Sequence, residues 1–215
     1  DPFGGYTESD QANFASLSLS NRFDSIELNL KRGWTGAGCW FQGSWWGGFR
    51  YFRLSEESNY VTQTNTGSMN YAVETDNDMY GAQIGGDLTS RLTTRLSLTG
   101  FIEAGLFGNR GVQDTTILLN NAGGSATVFE TADAHRASFV TEGGFHGNFR
   151  VTPNMAVKLG YQVVYVNGVA LAIDNYNFTT GAGTAPSALA SRGVLVDDNG
   201  SALYHGATAG LELVW

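Results

Sequence analysis

The residues of this 215-residue chain that could do chemistry form a ladder of charge and no catalytic cluster. Arg95 shares a parity with Glu103, and Glu142 shares one with His146 and Arg150. Lys158 and Glu212 sit in the same way inside other alternating segments, so each segment carries its charges on one face. Lining a lumen, these seven residues would shape the field and screen solutes, as charged rings do in channels. Paired with one another, they would instead fill a narrow barrel. Glu103, Glu142 and Glu212 give a lumen of this kind an expected cation preference. Covalent chemistry finds less support. Asp133 and His135 could make a His/Asp pair near abundant serine, but no nucleophile elbow or HExxH accompanies them. Asp76, Asn77 and Asp78, and separately Asp197, Asp198 and Asn199, offer oxygen ligands without the spacing and glutamate of a calcium loop. Turn formation accounts for both. The expectation is no enzyme, no metal and no cofactor. Trp34, Trp40, Trp45 and Trp46 suit a membrane-interface belt better than a sugar platform.

The elements that must position these residues are strands. In 93–108, Leu96, Leu98, Ile102, Ala104 and Leu106 alternate with Ser97, Thr99 and Glu103. Phe139, Phe145 and Phe149 alternate with Glu142, His146 and Arg150, and Val157, Leu159, Tyr161, Val163 and Tyr165 oppose Lys158 and Gln162. Ala207, Ala209, Leu211 and Leu213 oppose Glu212. Less regular alternation covers 79–88 and 26–31, while SWWGGFRYFRL (44–54) carries aromatics on both parities and leaves its outward face open. About seven strands result, near 14–31, 44–56, 69–88, 93–108, 135–151, 155–172 and 201–215. Tight links at 89–92 and 152–154 alternate with long polar stretches at 57–68, 109–134 and 173–200. A local hairpin is expected around Asn199 and Gly200.

Composition bounds the reading. Glycine supplies 29 residues, about twice its usual share, while charged residues make up only 15%. The net charge of -8 has the wrong sign for a phosphate-binding surface, which argues against nucleic acid. The single Cys39 cannot form an intramolecular disulfide. No stretch is apolar enough for a membrane helix, so a spanning chain would have to be a closed barrel. Segments longer than the ~9–11 residues a tilted strand needs, with short turns at one end and long loops at the other, fit an outer-membrane barrel. The predicted fold is therefore all-β: a transmembrane antiparallel up-and-down β-barrel with short periplasmic turns and long external loops. This chain would supply about 7–8 strands, either closing on itself or forming part of a larger barrel. Residues 1–13 read as a loop or N-terminal remnant and 14–215 as the barrel domain.

The ending GLELVW, alternating up to Trp215, resembles the insertion signal of bacterial outer-membrane proteins, carried by Leu211, Leu213 and Trp215. The blocks FDSIELNLKR (23–32), GGFRYFRLSE (47–56), NDMYGAQIGGDL (77–88), LGYQVVYVNGVALA (159–172) and ALYHGATAGLELVW (202–215) resemble the β-barrel porin family found chiefly in planctomycetes. That resemblance implies an outer-membrane location in a Gram-negative-type envelope, a lipid bilayer as partner and porin-like passage of small hydrophilic solutes. It supplies no catalytic residues. A homo-oligomer or other envelope proteins are further candidate partners. The alternative function is a non-conducting structural or adhesive barrel whose external loops bind a neighbouring protein, a surface layer or a glycan.

Overall fold

The computed structural model describes residues 8–9, 12–36, 40–177 and 193–213. Seven strands make one antiparallel sheet in simple chain order: β1 (Phe14–Thr35), β2 (Phe41–Gln63), β3 (Gly67–Arg91), β4 (Leu96–Asn121), β5 (Gly124–Thr152), β6 (Met155–Val169) and β7 (Gly200–Leu213). Every strand pairs with its sequence neighbour, and the sheet curls around a concave interior until side chains of β1 and β7 meet. No helix occurs among the described residues. Strand lengths of 14 to 29 residues far exceed the ~5–6 of ordinary globular sheets.

These boundaries correct two expected loops. Residues 57–68 and 109–134 are largely strand, continuing β2–β3 and β4–β5 as tall hairpins that turn at 64–66 and 122–123. Their polarity resembled loop sequence because strands that rise beyond an apolar layer need no apolar outer residues. In the third expected loop, the described residues 173–177 and 193–199 lie outside the strands. The hairpin expected around Asn199 does not form, because the Asn175 side chain takes the place of a partner strand. Its Nδ2 donates to the Asp197 carbonyl at 3.0 Å and its Oδ1 accepts the Asp197 N–H at 2.7 Å.

Curling compresses the inner side of the sheet. A methyl group added to the inward-facing Gly48, Gly81 or Gly144 would meet a neighbouring backbone oxygen at 2.1, 2.0 or 2.4 Å, whereas outward-facing Gly100 and Gly147 have 3.9 Å. Gly168, with φ of +78°, interrupts the β6–β7 ladder and sends the chain off the wall into the concave interior.

Candidate functional site

Alternation sorts the side chains between two faces of opposite character. Outward parity on every strand carries exposed apolar residues that together form a belt, from 52% exposed at Phe49 on β2 and 56% at Phe145 on β5 to 86% at Leu30 on β1, with Leu28, Ile84, Ile102, Leu106, Leu159 and Leu211 between. Along β4 it runs from Leu96 to Leu106, about 34 Å of strand, which a tilt of ~40° projects to about 26 Å of height. A contiguous belt this large is far beyond the apolar patches that soluble monomers expose.

Tyrosines mark its edge toward the tall hairpins. Tyr51 and Tyr80 stack with ring centroids 4.8 Å apart, and the Tyr51 hydroxyl donates to Asp78 at 2.6 Å. One step beyond, Arg53 pairs with Asp76 at 3.0 Å. Burial alone would raise the Asp76 carboxyl, but bonds from Ser55 and Arg53 outweigh it and hold it below the ordinary carboxylate range. The contact therefore adds stability above the unfolded pKa of ~3.9, lost as pH falls through the lower folded value. Both partners are nearly half exposed, so it is worth at most about 1 kcal/mol.

The concave face is polar and charged, and its centre is buried. At its centre Arg50, 5% exposed, faces three carboxylates: Glu103 at 2.6 Å, Glu142 at 2.9 Å and Glu27 at 3.3 Å. The Trp46 indole N–H donates to Glu103 at 3.2 Å, Gln83 donates to Glu27 at 2.9 Å and Gln162 donates to Glu142. Beside the node, Asp87 receives Lys31 at 2.7 Å and Ser44 at 2.6 Å. Charges this buried persist only when paired and hydrogen-bonded.

Gly85 makes room for this node. A Cβ there would stand 2.5 Å from the Trp46 ring and 2.7 Å from the Glu103 Cβ. Gly85→Val is expected to cost about 1–3 kcal/mol by overpacking, and Gly100→Val on the open outer side less than about 0.5 kcal/mol. Urea unfolding in detergent micelles checks the difference.

Above the node lies an apolar layer of Phe52, Leu54, Met79, Phe107, Val140 and Val164. The chain leaving β6 docks on it from inside. Asn77 grips Ala170 through both backbone groups, Nδ2 to the carbonyl and Oδ1 from the N–H, each at 2.8 Å. Asn109 donates to the Gly168 carbonyl at 3.2 Å, and Glu56 accepts the Ala172 N–H at 3.2 Å. Tyr176 continues the seal among Met69, Tyr71, Ile117 and Leu119, with its hydroxyl 2.9 Å from that of Ser58. At the short-turn end the face opens instead into a cavity of about 890 Å³, lined by Arg91, Arg95, Asn148, Arg150 and Glu212.

Of the residues singled out from sequence, Glu103 and Glu142 meet on Arg50. Lys158 and Glu212 pair with each other at 2.8 Å near the mouth. Arg150 shares the concave parity and lies near enough to that pair to interact electrostatically with Glu212, and His146 shares the same parity. Arg95 belongs to no strand. It lies exposed in the 92–95 link, whose carbonyl accepts the Arg150 N–H at 2.8 Å. Leu211 and Leu213 face outward, and Trp215 lies outside the described residues. Trp34, Trp40 and Trp45 are exposed, but Trp46 turns inward. Phe107 is buried in the concave layer. Asp76 and Asp78 point outward while Asn77 points inward, which separates that trio as ligands. His135 and Asp133 stand 3.9 Å apart on the exposed outer face. Arg50, which the sequence reading missed, and Asn77, which it read as a turn former, organise the interior. The chain matches no protein-family model, no curated protein and no solved structure.

Proposed function

We propose that this chain is the wall of an outer-membrane β-barrel with a sealed interior, a structural or adhesive envelope protein whose tall hairpins project from the bilayer. The observation that supports this most directly is the inversion of polarity: a continuous apolar belt outside and a buried, ion-paired node inside. The resemblance to the β-barrel porin family supports the same location. The chain from Gly168 to Tyr176, hydrogen-bonded across the concave face, favours the sealed form over an open pore.

Porin-like passage retains one observation in its favour, the cavity of about 890 Å³ at the short-turn end. It requires the docked 168–176 segment to leave. In planar bilayers the native protein is expected to insert without steady conductance. A stable open channel would overturn the sealed reading and restore the porin. Flotation with liposomes tests the membrane itself: a protein that stays monodisperse in detergent-free buffer and does not float would make the outer belt something other than a lipid-facing surface.

A further inference from the structure

The sheet has two free edges. Among the described residues nothing pairs with the outer side of β1 or of β7. Both strands run the same way, from the tall-hairpin end to the short-turn end, because six antiparallel steps separate them. Direct pairing of β7 with β1 would therefore be parallel, and antiparallel closure needs an odd number of strands between them.

Side chains meeting across the opening set its width. The Phe23 ring of β1 lies 5.8 Å from the Tyr204 ring of β7. Tyr204 also reaches past it to donate to Glu56 of β2 at 2.7 Å. Each ring centre stands roughly 4 Å from its Cα, so the two backbones are at most about 14 Å apart here. One intervening strand needs ~10 Å and three need ~19 Å. Only one fits.

The register agrees with closure. Following the ladders from Tyr204 leads through Val164, Glu142, Glu103, Gly85 and Trp46 to Lys31. The residue actually met across the opening is Phe23, eight positions away along β1. Such a stagger on returning to the starting strand is what closing a tilted sheet into a barrel requires.

We propose that the opening between β1 and β7 accepts one amphipathic strand of the same polypeptide, running from the short-turn end to the tall-hairpin end and antiparallel to both neighbours. The source follows from connectivity. Every ladder joins consecutive strands, and an upward strand finishes at the end where β1 begins. A second copy in the same membrane orientation would bring β7 against β1 in parallel. The need for a partner rests on the membrane reading, since hydrocarbon leaves unpaired backbone groups no water.

The test is photo-crosslinking of the native protein in its own envelope, with benzoylphenylalanine in place of Leu19 or Leu30 on β1 and Leu203 or Leu211 on β7, read by peptide mass spectrometry. The expected result is one segment of the same chain captured from all four positions. Its residue joined at 30 should precede the one joined at 19, and its residue joined at 211 should precede the one joined at 203. Capture of two different segments, the reverse order, β1 joined to β7, a second copy, another protein or lipid alone would each overturn the proposal. The same probe at position 102 tests the bilayer separately: lipid adducts there, with no strand captured at the edges, refute the closing strand and leave the membrane reading intact.

Discussion

Arg50→Met is expected to destabilise the folded protein by about 3–5 kcal/mol, measured as a shift of the urea unfolding curve in detergent micelles. The methionine keeps much of the packing against the Phe52 ring, over which the guanidinium sits at 5.1 Å. What disappears is the cation that pairs with Glu27, Glu103 and Glu142. Two of these carboxylates are about a tenth exposed or less, so water cannot replace the lost partner. Adding Glu103→Gln and Glu142→Gln to the same variant should recover much of the loss, because the buried charge is then removed along with its counterion. Arg53→Met, at an exposed pair on the rim, should shift the curve by less than about 1 kcal/mol. Equal effects at positions 50 and 53 would mean that the interior is wet and the node is not buried.

Ile102→Arg is expected to be the second large effect, visible only in a bilayer. Ile102 is 64% exposed near the middle of the outer belt on β4. Arginine at the midplane of a lipid-facing strand costs about 2–4 kcal/mol, falling toward zero at the interfaces. Refolding into liposomes should therefore fail or weaken for Ile102→Arg, while arginine at Asp114, farther along the same face of the same strand, should leave it unchanged. If the belt faced water, an exposed isoleucine could become arginine at a cost within about 0.5 kcal/mol. The two environments thus predict different outcomes for one substitution.

The belt was legible in the sequence because apolar residues recur at every second position along each strand. Leu96, Leu98, Ile102 and Leu106 announce both the strand and its outward face. Beyond Tyr80 and Tyr51 that rule lapses, and alternating polar residues such as Asp76, Asn77 and Asp78 look like turn formers although they continue a strand. Asn77 could have been placed by extending the parity of Tyr80 backwards, which puts Asp78 and Asp76 outside and Asn77 inside. Arg50 was hidden differently. Its segment has aromatics on both faces because Trp46 and Phe52 pack against the node and the docked chain, while Trp45 and Phe49 belong to the outer belt. Arg50 and Arg53 have opposite parities, so one of them had to point inward. That was the available signal. The docking of 168–176 depends on contacts between residues about 60 to 120 positions apart, and no local pattern encodes those.

The inward glycines have a bearing on the finished barrel's girth. At Gly48, Gly81 and Gly144 even one methyl group would force adjacent backbones apart on the inner side alone, and a sheet wedged open there turns through a smaller angle per strand. A wall with alanine at these positions would come round on a larger circle and need more strands to complete it. The diameter of the cylinder is in this sense recorded in carbon atoms that the chain lacks, and adding them back one at a time is a way to design wider ones.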